Sequence, residues 1–298
     1  MVRPSRLRED LINSDWFGRN GEFGESTFST GPMSTGKTEV TTKKLDEKRH
    51  FGGNIVAYGH SVNVRDGGFL AVDGQNRCRA MLVSSIPELR EDLVMRAESL
   101  FSRRVGDHSD RQTIEIKGLR HKRRTPIVAV GVDEANLFTM DPQGAKDMIE
   151  FLQWSREIGL DVFLSGLMYD YRGEFFGHIR AAQQHVDHFD VIKNARCKAV
   201  YDRNQCGAVA YHSQRLWSVD FAKTLGLNTV LDNLELYDFA DKDGNLVDDR
   251  YVAAPFFDKT LRIEEEKDGR VVYFPVCHSC HKVPYKEEVF AVYNALTY

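Results

Sequence analysis

The sequence contains no apolar run near the roughly 18 residues a membrane-crossing helix requires, and its opening residues, MVRPSRLREDL, are too charged for the apolar part of a secretory leader. These two absences predict a cytoplasmic protein with no membrane partner. Cysteine is scarce, 5 in 298 residues, which excludes a disulfide scaffold; in a reducing compartment clustered thiols more often hold metal than bridge. An excess of one charge is also missing. With 40 Lys and Arg against 44 Asp and Glu the formal charge is -4, which argues against a surface built chiefly for nucleic acid or anionic lipid. Neither an internal repeat nor a low-complexity tract is present. What is there, 42% apolar and 28% charged residues, suffices for one sizeable core or two modest ones.

Residues 1–26 are polar and rich in Gly and Arg, with Trp16, Phe17 and Phe23 at no regular period, and read as an irregular arm. A short strand over Phe28 to Thr30 then leads through the turn Gly31-Pro32-Met33-Ser34-Thr35-Gly36 into a helix starting near Lys37. Asn54 to Tyr58 reads as a second strand, and Ile86 to Arg104 spaces Leu89, Leu93, Ala97 and Leu100 as one helical face. The run Ile127 to Val132 (IVAVGV) is apolar throughout, as a central parallel strand covered on both faces requires. Asp141 and Pro142 signal the start of a helix that sets Ala145, Met148, Ile149 and Leu152 on one side and stops at Gly159, before a strand over Asp161 to Ser165. This alternation predicts an α/β fold, a P-loop doubly wound parallel sheet over residues 27–192. A small β-rich domain with a hairpin near Lys267-Asp268-Gly269 follows over 193–298. The basic run Arg120-His121-Lys122-Arg123-Arg124 lacks interleaved aromatics and reads as a solvated loop.

Three motifs carry chemistry. In Gly31-x-x-x-x-Gly36-Lys37-Thr38 the glycines let backbone N–H groups converge on phosphate oxygens, Lys37 neutralises the terminal phosphates and the Thr38 hydroxyl ligates magnesium. At the end of the central strand stand two adjacent acids: Asp133 is assigned to the metal, and Glu134 to proton abstraction from, or orientation of, a substrate hydroxyl. The thiols of Cys197, Cys206, Cys277 and Cys280 suit a structural zinc. Cys277-x-x-Cys280 has the usual spacing, whereas eight residues separate Cys197 from Cys206, which predicts a wide loop on that side. Cys78 stands apart as a small hydrophobe, and His178, His185, His188, His278 and His281 default to surface or structural roles.

In their order along the chain these motifs resemble the zinc-containing cellular and bacterial thymidine kinase family, whose members phages also carry. Gly31-Pro32-Met33 through Thr38, Asp133-Glu134-Ala135 with Phe138, and Gly166-Leu167 leading to Tyr171 and Phe176-Gly177 match. So do Cys206-Gly207, Ser213-Gln214-Arg215-Leu216, and Tyr273 followed by Cys277-x-x-Cys280-His281. The resemblance implies transfer of the ATP γ-phosphate to the 5′-hydroxyl of thymidine with magnesium as cofactor, Glu134 as base, and Arg65 of Asn63-Val64-Arg65 meeting the phosphates. Ala135 and Asn136 would then border the ATP site, and Phe138 the substrate. It implies further that Met33, Leu167 and Ser213 line the pocket for the thymine methyl, that Tyr171 and Phe176 flank the base, and that Tyr273 reaches the sugar. The zinc domain would supply a flexible lid containing Tyr273 and the segment around Gln214. A homotetramer and inhibition by thymidine triphosphate are likewise family properties.

Ser213 stands where the family usually has Thr, so 5-substituted deoxyuridines larger than thymidine join the expected substrates; Asn136 and Met168 also depart from the pattern. Two other classes fit the phosphate-loop motif. One is an ATPase coupled to nucleic acid, in which Glu134 orients water; the other is a zinc-stabilised nucleotide-binding protein without catalysis.

Overall fold

The computed structural model describes residues 16–18, 22–62, 69–70, 78–102, 126–226, 236–241, 243–247, 250–262, 265–266 and 268–297. Two compact units emerge, each drawing on several stretches of chain: Met1–Ser29, Thr38–Ser165 and Gly177–Asp190 form the first, and Thr30–Lys37, Gly166–Phe176 and Val191–Tyr298 the second.

The first unit is α/β. Its parallel strands are β1 (Ser26–Thr30), β2 (Asn54–His60), β4 (Cys78–Val83), β5 (Ile127–Val132), β6 (Asp161–Gly166) and β7 (His188–Val191), while β3 (Phe69–Leu70) runs antiparallel to β4. They lie in the order β3-β4-β2-β5-β6-β1-β7. Every residue of β5 is buried, and β5 pairs with β2 on one side and β6 on the other, as its unbroken apolar run requires. Helices α1 (Lys37–His50), α2 (Ile86–Ser102), α3 (Pro142–Glu157) and α4 (Ile179–Gln183) connect the strands. Gly131 in β5 lets α1 come close, since a Cβ there would stand 2.6 Å from the Leu45 Cδ1 atom. The Asp141 carboxylate caps α3 by accepting from the Gly144 N–H at 2.7 Å. Its buried face comprises Ala145, Met148, Phe151, Leu152 and Trp154, with Ile149 only half-buried.

Part of the arm expected to be irregular belongs to this core. Phe17 bridges Ile127 in a parallel pairing, is 2% exposed, and packs edge-on against Trp154 with ring centres 5.7 Å apart. Apolar burial outweighed the absence of local periodicity.

The second unit is built on a three-stranded antiparallel sheet in which β10 (His212–Ser218) lies between β13 (Tyr251–Ala253) and β14 (Val271–Val276). Two hairpins accompany it, β8 (Val200–Tyr201) with β9 (Asn204–Gln205), and β11 (Phe239–Ala240) with β12 (Leu246–Val247). Helices α5 (Val219–Thr224) and α6 (Lys286–Thr297) complete it. One core joins Leu216, Tyr237, Phe239, Phe274 and Val276 to three of the cysteines, with Phe239 stacked on Phe274 at 4.6 Å; another gathers Tyr171, Trp217, Phe221, Val252 and Val271. Of the hairpin expected near Lys267-Asp268-Gly269, Lys267 lies outside the described residues; β14, which follows, pairs with β10. Among the described residues no helix is long and apolar enough to cross a membrane.

Candidate functional site

Residues 31–36 connect β1 to α1, the place where a parallel sheet exposes strand ends and helix N–H groups. Two residues of this loop, Ser34 at φ 59 and Gly36 at φ 80, take the left-handed conformation. The Pro32 carbonyl accepts from the Thr35 hydroxyl at 2.9 Å and from the Lys37 ammonium at 2.8 Å, so the lysine folds back over its own loop. The glycine at 31 is dictated by space: a Cβ there would lie 2.7 Å from the Ile192 carbonyl oxygen.

In the first unit, Thr38 and the tip of β5 meet directly. The Thr38 hydroxyl donates to the Asp133 carboxylate, 3.1 Å to Oδ2 and 3.3 Å to Oδ1, and Ser165 at the tip of β6 donates to Oδ1 at 2.6 Å. These are hard oxygen donors of the kind magnesium takes. Asp133 is buried, and Glu134 beside it is half-buried at φ 51 and ψ 45, a left-handed backbone rare outside Gly, Asn and Asp. Such strain beside a paired acid marks a position where orientation outweighs stability. Ala135 and Asn136, both buried, continue into a single 3-10 turn that ends at Thr139, and Phe138 in that turn packs edge-on to His60 at 4.7 Å. Ser165 carries no local sequence signal, because its partner is a strand-tip neighbour 32 residues away.

Most residues expected around a substrate belong to the second unit. The Met33 N–H donates to the Ser213 hydroxyl at 3.0 Å, joining the loop tip to β10. Leu167 and Phe176 are half-buried in a segment closed by the bond from the Phe176 N–H to the Met168 carbonyl. Tyr171, expected beside the base, has close protein neighbours. It is 5% exposed, the Arg215 guanidinium lies 3.8 Å from its ring centre, and its hydroxyl points at the Pro255 and Asp258 carbonyls, 2.6 Å from each. Burial pushes that hydroxyl well above its ordinary pKa. Tyr273 lies in β14 opposite Arg215, and burial raises its hydroxyl too. Gln214 is fully buried in β10, its amide donating to the Lys282 carbonyl and accepting from the Lys282 N–H, both at 2.9 Å. Gln214 and Tyr273, expected in a flexible lid, sit in the paired strands β10 and β14.

Arg215 and Asp258 form an ion pair that no sequence motif announced. Their side chains are 3% and 6% exposed, with 2.6 Å between nitrogen and oxygen, and Arg262 approaches the same carboxylate at 3.3 Å. Burial alone would raise the Asp258 carboxyl, but the guanidinium and these hydrogen bonds outweigh it and hold the group below its ordinary range.

The thiols of Cys197, Cys206, Cys277 and Cys280 all lie within 4.8 Å of one another, and the Cys206 and Cys277 sulfurs are 3.9 Å apart. Four thiolates around a tetrahedral zinc at about 2.3 Å stand roughly 3.8 Å from each other, so the set fits one metal ion. The half expected as a wide loop is a tight hairpin instead: β8 and β9 are joined by Asp202 and Arg203, both with positive φ, the two-residue turn that matches strand twist. The second pair brackets a 3-10 turn whose Cys280 carbonyl accepts from the Tyr237 hydroxyl. Histidines are not members of this cluster among the described residues. His212 and His278 bond to each other at 2.7 Å, and burial, with His281 and His278 nearby, pushes His212 down to about 4.

Arg65, Asn63 and Val64 lie outside the described residues, as does the basic run at 120–124; Cys78 opens β4. Compared with protein-family models and with curated proteins, the chain finds no match in either.

Proposed function

We propose that the protein is a nucleoside kinase that transfers the γ-phosphate of ATP to the 5′-hydroxyl of thymidine. The observation that carries this reading is the hydrogen-bonded set Thr38, Asp133 and Ser165 at the tips of neighbouring strands, continuous in sequence with a loop of phosphate-binding pattern. Residues 31–36 supply backbone N–H groups to phosphate oxygens and Lys37 supplies positive charge. Thr38 and Asp133 would hold magnesium, which would supply positive charge toward the phosphates. Glu134 accepts the proton of the 5′-hydroxyl, and Arg65 meets the transferring group. Met33, Leu167 and Ser213 line the pocket for the thymine methyl, Tyr171 and Phe176 flank the base, and Tyr273 reaches the sugar. The four cysteines hold zinc as a structural ion. A cytoplasmic homotetramer, as in the family the chain resembles, completes the reading.

The test is direct. Purified protein with magnesium and ATP is expected to release ADP only when thymidine or a close 5-substituted deoxyuridine is added. Indifference to nucleoside combined with stimulation by single-stranded DNA would replace the kinase with an ATPase coupled to nucleic acid.

A further inference from the structure

Ser165 stands near the end of β6, the strand that separates β1 from β5 in the sheet. Val132 is in register with Leu164, so the next residues along, Asp133 and Ser165, are neighbours at the carboxyl ends of two parallel strands. The serine side chain is fully buried, and its one hydroxyl proton goes to Asp133 Oδ1 at 2.6 Å. An O–H bond to a carboxylate at that length is a short, charge-assisted one. Thr38 approaches the same carboxylate at a longer 3.1 Å, closer to Oδ2 than to Oδ1. The serine bond pins Oδ1, while the threonine hydroxyl is shared between the two oxygens, so both side chains restrain the rotation of one carboxylate. One residue on, Gly166 accepts from the Thr30 hydroxyl at 3.0 Å, which anchors the end of β6 to the end of β1.

We infer that Ser165 is a positioning residue, whose hydroxyl orients the Asp133 carboxylate so that, with Thr38, it takes the divalent cation accompanying a nucleoside triphosphate. The inference rests on the nucleotide-binding part of the proposed function and is independent of thymidine as acceptor. Hydrogen bonds to a ligating carboxylate set its direction and basicity, and their loss typically costs about 10- to 100-fold in metal affinity. A serine that merely filled space would leave that affinity alone.

Manganese serves as the probe, titrated into the full-length protein with ATP and followed by electron paramagnetic resonance. Ser165→Ala is expected to weaken manganese binding about 10-fold. Affinity for ATP in excess chelator should match the wild type, while loss of a buried bond to a carboxylate lowers the melting temperature. Ser165→Thr, which keeps the hydroxyl, should recover most of the loss. Metal affinity within twofold of wild type in Ser165→Ala would overturn the assignment, as would an equal fall in metal-free ATP affinity. Failure of the wild type to bind manganese with ATP would remove this role and the nucleotide reading together. A wild type that binds both but phosphorylates no nucleoside would cost only the thymidine reading, with Ser165 still decided by the same titration.

Discussion

Glu134 has a backbone that costs an ordinary side chain about 1–2 kcal/mol, and it occupies that conformation immediately after the buried Asp133. Replacement by glycine therefore removes strain as well as the carboxylate. Glu134→Gly is expected to unfold at equal or higher temperature than wild type while losing nucleoside phosphorylation, and calorimetry beside a turnover assay would separate the two effects. Glu134→Gln, which keeps the shape, should retain nucleotide binding and lose about 100-fold or more in turnover, the usual scale for a general base. Near-normal turnover in that variant would take the residue out of the chemistry.

The buried Arg215 and Asp258 make a separate prediction about pH. A carboxyl held below its ordinary pKa in the folded state contributes stability that is fully present above the unfolded value, near 4, and is lost as pH falls through the lower folded value. Acid denaturation followed from pH 6 to pH 2 should therefore show a fall in stability for the wild type that is shallower in Asp258→Asn. At neutral pH that variant leaves a buried guanidinium without its counter-charge and should be about 3 kcal/mol less stable. Neither Asp258 nor Ser165 was legible in the sequence, because each acts on a partner distant along the chain, with no periodicity to advertise it. Asp133, by contrast, was legible from its position at the end of an unbroken apolar run.

Elements were read more easily than single contacts. β5 and α3 declared themselves through a continuous apolar stretch and through the Asp141-Pro142 start signal, both local properties. The hairpin of β8 and β9 did not, because its turn is Asp202-Arg203 and lacks the glycine that usually marks two consecutive positive φ angles. That hairpin and the turn at Cys277–Cys280 converge on four thiols that also border the aromatic core of Tyr237, Phe239 and Phe274. Metal removal should accordingly loosen packing well beyond the sulfurs. Protein purified without chelator is expected to carry about one equivalent of zinc. Stripping it should quench near-ultraviolet circular dichroism from these rings, and zinc should restore the signal where magnesium does not. Less than half an equivalent would argue against a resident ion.

For the molecule as a whole, the decisive measurement is a nucleoside panel of thymidine, uridine, cytidine and deoxyuridines with enlarged 5-substituents. Ser213 contacts the Met33 backbone and is one methyl group smaller than threonine, so larger 5-substituents should be phosphorylated comparatively well, and Ser213→Thr should shift preference back toward thymidine by roughly 10-fold. Unchanged ratios would place Ser213 outside the base pocket. At this scale the two compact units each recruit segments from several parts of the chain, and a shift in composition marks segments and not their partners.

The bond between the Met33 N–H and Ser213 links positions 180 residues apart, and the second unit unites Thr30–Lys37 with strands as late as Val271–Val276. On the ribosome, where the chain emerges at about 5–20 residues per second, the early loop must wait many seconds for its companions. Nascent chains stalled before residue 271 should therefore be far more open to protease at residues 30–37 than the released polypeptide.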